Sequence, residues 1–167
     1  RELSQAWIET FPMSRLNKNV QSSSSRLGSV VRNFMYLENF IKNDELKKIN
    51  KILKNDYLFL NFYKNFSFNI LERLSIGHSL VLSGYAFNLT KKKQKKVIRY
   101  MIKLFILYKN RLKKGQIRSP EELSIVFFFL LETIEIAKKL ENGKTSSEEE
   151  KLRKISYSFG SSLRYLQ

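Results

Sequence analysis

The sequence contains no cysteine, only two prolines and six glycines, and one histidine in 167 residues. Without cysteine, disulfides, thiolate metal sites and cysteine nucleophiles are excluded. Because many short strands need frequent Gly and Pro in their turns, the scarcity of both favours helices. No run reaches the roughly 20 apolar residues needed to cross a bilayer, so we expect no transmembrane helix. Apolar residues still make up 43% of the chain, which predicts one folded domain with a single core.

Residues typical of catalytic sites are also scarce. His78 is the single histidine, and no carboxylate lies near it in the sequence, so we interpret it as a structural residue. The sequence has no phosphate-binding glycine loop, no nucleophile motif and no cluster of metal ligands. We therefore expect a protein that is not an enzyme and that binds no cofactor, metal or small-molecule substrate.

Apolar residues recur at helical spacing in the first half of the chain, which predicts two helices. The first covers residues 27–41 and ends near Asn43 and Asp44. The second continues from there as one long helix toward Phe87. Gly77 and Gly84 lie inside it, and each costs about 1 kcal/mol relative to Ala in a helix, so we expect a kink or break there.

The second half of the chain contains the clearer start and stop signals. A third helix begins after Asn88 or Thr90 and ends at Gly115. The fourth begins with Ser119 as N-cap and Pro120 in the first position, and Glu122 completes a capping box. A further short helix follows, for which we expect Ser147 and Glu150 to form a second capping box.

Four amphipathic helices joined by short connections bury their apolar faces most simply as an up-down-up-down four-helix bundle. The sequence thus predicts an all-α fold in three parts. Residues 1–25 form an extended N-terminal docking arm, residues 26–143 form the bundle, and residues 144–167 form a C-terminal helical appendage.

The predicted arm has little helical periodicity and contains a run of four serines. It begins with Arg1 rather than Met, which we interpret as removal of a targeting segment, a trimmed chain being the alternative. We expect its large side chains to anchor it on a neighbouring molecule, although folding back onto its own bundle fits equally well. The predicted anchors are Trp7, Phe11 and Arg15.

Positive charge is concentrated in one part of the chain. The net charge is +16, and between Arg73 and Pro120 there is no Asp or Glu but thirteen of the 31 basic residues. Lysines at the start of a helix oppose its dipole at a cost of about 0.3–1 kcal/mol. A solvated face that maintains solubility is one explanation, but the one-sidedness favours binding to an anionic partner. The predicted partner-binding residues of this helix are Lys91, Lys92, Lys93, Lys95, Lys96, Arg99 and Lys103.

Several segments occur in an order that is found in a known family. Residues 37–46 (LENFIKNDEL) separate the first two helices, and residues 59–63 (FLNFY) follow at a matching distance. Residues 103–105 (KLF) lie in the lysine-rich third helix, and residues 119–120 (SP) open the fourth. In these features the chain resembles the PsbQ family of extrinsic photosystem II subunits, which are basic four-helix bundles. Leu46 stands where that family often has Trp.

The resemblance implies a non-catalytic role: docking on the lumenal side of photosystem II and stabilising the oxygen-evolving complex without binding its manganese. The abundance of Lys, Asn, Ile and Phe indicates an AT-rich gene, so we expect an algal protein. The implied location is the plastid thylakoid lumen, peripheral on the membrane, in contact with the photosystem II core and other extrinsic subunits. The residues alone also allow a basic RNA-associated protein, such as a peripheral organellar ribosomal subunit, because basic and aromatic residues are adjacent at Arg99-Tyr100 and Tyr108-Lys109. A scaffold that docks into a protein groove is the third possibility.

Overall fold

The computed structural model describes residues 20–37, 43–67, 69–116, 119–141 and 145–163. These residues form six α-helices and no strand, which confirms the predicted all-α class. No helix in the described ranges is long and apolar enough to cross a bilayer. The predicted anchors Trp7, Phe11 and Arg15 lie outside the described residues. The helices are α1 (Val20–Leu37), α2 (Asn43–Tyr63), α3 (Ile70–Ala86), α4 (Lys91–Lys113), α5 (Pro120–Leu140) and α6 (Ser147–Leu163).

Helix α3 is the centre of the fold. It contacts α1, α2, α4 and α5, and Leu74, Ile76 and Leu80 on it are fully buried. Helix α6 packs against α4 and α5. It adds Leu152 and Phe159 to the same core, both with no exposed surface. The C-terminal helix, predicted as a short appendage, is therefore a 17-residue part of the core.

The predicted long second helix is wrong, because the structure divides it into α2 and α3. A turn at residues 64–66 ends α2. Asn69 then caps α3, with its side-chain oxygen accepting from the backbone N–H of Leu71 at 2.9 Å and of Glu72 at 3.4 Å. Such a cap satisfies N–H groups that a helix start leaves unpaired. The break therefore falls at the asparagine cap, and the two glycines expected to cause it lie inside α3.

Gly77 permits close packing of α3 on α4. A Cβ atom at this position would collide with the sulfur of Met101 and would lie 3.2 Å from the ring of Tyr100. Met101 is itself fully buried, so it has little room to move. The absence of a side chain at Gly77 therefore lets the side chains of Met101 and Tyr100 pack against the backbone of α3.

Small residues also line the contact between α1 and α3. Ser24 Oγ lies 2.9 Å from Ser75 Oγ and 3.0 Å from Ser79 Oγ. The Ser79 hydroxyl donates to the backbone oxygen of Ser24 at 2.9 Å. Serine is a weak helix former because its hydroxyl competes for nearby backbone groups, and here the hydroxyls of Ser24 and Ser79 bond across the helix pair instead. Helix α1 begins at Val20. Residues 20–25, predicted to be part of an extended arm, are therefore helical.

Serine residues cap α5 and α6 at or next to the predicted positions. Ser119 caps α5 by accepting from the Glu122 N–H at 3.2 Å, and Pro120 takes the first turn, as predicted. Gly115 follows α4 with a positive φ of 67°, a conformation that favours glycine. The cap of α6 is shifted by one residue, because Ser146 rather than Ser147 accepts from the Glu149 N–H at 3.0 Å.

We expect Gly77→Ala to lower the free energy of unfolding by about 1–3 kcal/mol, because the added methyl group overpacks the contact between α3 and α4. Chemical denaturation followed by circular dichroism measures this change. Gly160→Ala is the matched control: nothing lies within 4 Å of its added methyl group in α6, so stability should stay the same or rise by up to about 1 kcal/mol. A Gly77→Ala variant as stable as the parent would contradict the close-packing explanation.

Candidate anion-binding surface

The basic surface is built on α4. One side of this helix is buried in the core through Val97, Met101 and Phe105. Its first turn consists of basic residues with no acidic one, and Thr90 at the N-cap position makes no side-chain capping bond. Positive side chains at the positive end of a helix dipole are unfavourable. The start of α4 is therefore a place where a bound anion would stabilise the protein.

Two of the seven predicted cations already have partners within the molecule. Lys95 Nζ lies 2.6 Å from Glu141 Oε1, and Arg99 Nε donates to Glu148 Oε1 at 2.8 Å. The hydrogen bond and charge of Glu141 raise the pKa of Lys95. These two cations connect α4 to the end of α5 and the start of α6, so their charges are partly neutralised.

The other five predicted cations remain available for a partner. All five side chains are exposed, and within the described ranges none of them forms an ion pair. Uncompensated exposed charges of one sign create the field that attracts an oppositely charged partner. They are Lys91, Lys92, Lys93, Lys96 and Lys103.

A cleft of about 570 Å³ lies between α2 and α4. Four lysines line it: Lys54 from α2, Lys64 from the turn after α2, and Lys93 and Lys96 from α4. No carboxylate is among its lining residues. The remainder of the lining is mostly apolar or aromatic and consists of Tyr57, Leu58, Asn61, Phe87, Leu89 and Val97. We call this the lysine cleft.

Lys64 is the least exposed lysine of the lysine cleft. Partial burial lowers its pKa, and the positive charge of Lys96 lowers it further. Its ammonium group donates to the side-chain oxygen of Asn61 and lies 5.8 Å from the centroid of the Tyr100 ring. Neither contact supplies a negative charge. An anion between Lys64 and Lys96 would offset their mutual repulsion.

Sequence reasoning found the α4 half of the lysine cleft and missed the α2 half. Lys54, Asn61 and Lys64 recur at helical intervals, which is a visible signal that they share one face. That α2 presents this face to α4 follows from tertiary packing, which the sequence pattern does not contain.

A second polar cluster lies in the core around His78. Its Nε2 atom is 2.6 Å from Glu132 Oε2, and its ring stacks on Phe129 with centroids 4.2 Å apart. Arg32 also binds Glu132, with Nη2 donating to Oε2 at 2.9 Å and Nε to Oε1 at 3.2 Å. Helices α1, α3 and α5 are thereby joined through one carboxylate. The histidine has 2% of its surface exposed, which supports a structural role.

The protonation states of this cluster follow from its surroundings. Burial lowers the pKa of His78 and outweighs the effect of Glu132, so the ring is neutral at pH 7 and its Nε2–H donates to the carboxylate. Burial alone would raise the pKa of Glu132, but the hydrogen bonds from His78 and Arg32 prevail and lower it to about 2. The ionised carboxylate is therefore the form that the fold stabilises.

We expect acid to weaken the fold through this cluster. The pKa of His78 is below its ordinary 6.5, so protonation opposes folding as the pH falls below that value. The stabilisation from Glu132 is complete above its ordinary pKa of 4.5 and is lost as the pH falls toward 2. Glu132→Gln should reduce the free energy of unfolding by about 1–3 kcal/mol at pH 7.

Denaturation curves from pH 7 to pH 3 measure this effect. The gap between the parent and Glu132→Gln should shrink below pH 4.5, the ordinary pKa of that carboxyl. Glu135→Gln, an exposed position on the same helix, is the control and should follow the parent. Parallel curves for the parent and Glu132→Gln would show that the cluster does not govern the acid response.

In the described residues no group of three or more His, Asp or Glu side chains could hold a metal ion.

No protein-family model matches the chain, and neither the comparison with curated proteins nor that with solved structures finds a match.

Proposed function

We propose that this protein is a non-catalytic docking subunit that binds an anionic face of a large membrane-protein complex through the basic surface of α4. The observation that carries the proposal is the set of five exposed α4 lysines without ion-pair partners among the described residues. Charges arranged in this way speed the encounter with an acidic surface and weaken its hold as salt is added.

The host that we propose is photosystem II, at its lumenal side, where the protein would stabilise the oxygen-evolving complex in the plastid thylakoid lumen. The support is the PsbQ resemblance, two of whose segments coincide with features of the helices. The lysine-rich segment starts α4, and the Ser119-Pro120 segment starts α5. The protein would contact the photosystem II core and other extrinsic subunits while remaining peripheral to the membrane.

We further propose that this surface is carried by a four-helix bundle with additional helices packed on it. Helices α3, α4, α5 and α6 contact one another in every pairing except α3 with α6. Helices α1 and α2 pack on the outside of α3. A rigid carrier matters because charges held in a fixed pattern match a complementary surface at lower entropic cost.

A second candidate function is association with RNA, for instance as a peripheral organellar ribosomal subunit. The observation that favours it is the presence of Tyr57 and Phe87 among the four lysines of the lysine cleft. Phosphate binding by lysine together with base stacking on aromatic rings is common in proteins that bind single strands.

Docking can be tested on the thylakoid membranes of the organism that encodes the protein. We expect the native protein to copurify with photosystem II and to be released by a wash in about 1 M NaCl, because salt screens exposed charges. Rebinding of the double variant Lys92→Glu/Lys103→Glu to washed membranes should be at least about tenfold weaker than that of the parent. Both positions lie on α4 outside the lysine cleft.

The control for this experiment is Lys138→Glu/Lys151→Glu, which changes the net charge equally at exposed positions on α5 and α6. It should rebind within about twofold of the parent if the location of the charge matters and not its total.

Finding the native protein only outside plastids would exclude photosystem II as host. RNA binding with a log–log salt slope of about −0.7 per phosphate contact would instead support the second candidate.

A further inference from the structure

An exposed apolar strip borders the lysine cleft on α2. Leu58 is 64% exposed, Phe62 is 67% exposed and Phe66, in the following turn, is 55% exposed. The rings of Phe62 and Phe66 contact each other with centroids 5.0 Å apart. Leu58 also lines the lysine cleft, so the two features form one continuous surface. We call these three residues the apolar ridge.

The apolar ridge has the spacing of a helix-binding site. Leu58 and Phe62 are four residues apart in α2, which places them one above the other on the same side of that helix. Phe66 lies in the turn after α2 and extends the strip through its ring contact with Phe62. Adjacent large apolar side chains in water are unfavourable and commonly mark an interaction surface.

We propose that the lysine cleft and the apolar ridge together bind an acidic amphipathic α-helix of the host complex. This inference rests on the proposed docking function and names the chemistry of the partner. The apolar face of that helix covers Phe62 and its neighbours, while carboxylates on its flank meet Lys64, Lys93 and Lys96. Recognition of an amphipathic helix by an apolar groove with charged edges is a common mode of peptide binding.

The composition of the surface favours a peptide over RNA. All four cations of the lysine cleft are lysines, which lack the planar fork with which arginine binds phosphates and base edges. The rings of Tyr57 and Phe87 are half-buried and pack edge to face, with centroids 6.5 Å apart, so they already contact each other. The apolar ridge offers nothing to a phosphate backbone, whereas it matches leucine or phenylalanine side chains of a helix.

Lysines rather than arginines also suit carboxylates on a flexible partner. An ammonium group is a compact charge that accepts several approach directions. The repulsion between Lys64 and Lys96, which lowers the pKa of Lys64, would be relieved by one carboxylate between them. The free protein thus holds these charges at a cost that binding removes.

The test uses a fluorescein-labelled designed peptide of 18 residues, with Leu on one helical face and Glu on the other. A second peptide of the same composition has its order permuted so that no amphipathic helix can form. Fluorescence anisotropy with the full chain at low salt gives both affinities. We expect the helical peptide to bind at least about tenfold more tightly than the permuted one.

Two variants with matched controls locate the binding surface. Lys96→Glu and Phe62→Ser should each weaken binding of the helical peptide at least about tenfold. Lys151→Glu and Tyr157→Ser change an equal charge and an exposed aromatic residue on α6, where Tyr157 is 76% exposed. These controls should bind within about twofold of the parent. All four positions are exposed, so circular dichroism should show the parent fold in each variant.

Three results would overturn the inference. Equal binding of the two peptides would show that only net charge matters. Parent-like binding by both Lys96→Glu and Phe62→Ser would place the peptide elsewhere. Tighter binding of a single-stranded RNA of 20 nucleotides, lost in Lys96→Glu, would assign the lysine cleft to nucleic acid.

Failure of this inference is distinguishable from failure of the proposed function. If Lys92→Glu/Lys103→Glu loses its hold on host membranes while Lys96→Glu and Phe62→Ser keep theirs, docking stands and the helix-binding inference falls. If all of these variants rebind like the parent, both are wrong. Loss of rebinding in all of them supports both.

Discussion

The close approach of α3 to its neighbours determines where α1, α2, α4 and α5 lie, and α6 packs on α4 and α5 in turn. Ser24, Ser75 and Ser79 bring α1 against one side of α3, and Gly77 brings α4 against another. In the described ranges α2 also contacts α3, but α2 and α4 are not packed directly on each other. The lysine cleft is the space left between two helices that share a neighbour. Its shape follows from packing elsewhere in the core.

Several glutamates of this fold form ion pairs within the molecule, and many lysines have no such partner among the described residues. Glu132, Glu141 and Glu148 each bind a basic residue of another helix. On α6, Glu149 and Glu150 pair with basic residues one turn later. Glu141 and Glu148 partly neutralise Lys95 and Arg99 of α4, whereas Glu132, Glu149 and Glu150 bind cations of other helices. The lysines in the first turn of α4 are thus left without an ion pair among the described residues.

The sequence is a good guide where the signals are local. The Ser119-Pro120 start of α5 and the Gly115 end of α4 depend on a few adjacent residues, and both are found in the structure. The break between α2 and α3 was missed because apolar residues continue at helical spacing across it, which hides the cap at Asn69. The serine run does not indicate a helix in the sequence, because serine side chains compete locally with helical hydrogen bonds; the bonds of Ser24 to Ser75 and Ser79 on another helix appear only in the structure.

The sequence pattern does not predict contacts between residues that are far apart in the chain. His78 has no carboxylate nearby in sequence, and its partner Glu132 lies 54 positions away. Lys54 and Lys64 line the same cleft as Lys93 and Lys96 only because α2 and α4 both pack on α3. Charge patterns on a single helix identify a basic face, but which helices face each other is determined by the core.

Tyr100 connects the two sides of this surface to the centre of the fold. Its hydroxyl donates to the backbone oxygen of Lys64 at 3.0 Å, and Arg73 Nε approaches the same hydroxyl at 3.4 Å. The ring also lies against the position where Gly77 lacks a side chain. One tyrosine thus relates the spacing of two core helices to the separation of the lysines. A substitution in the contact between α3 and α4 can therefore change the spacing of the cleft lysines, although the lysines themselves are unchanged.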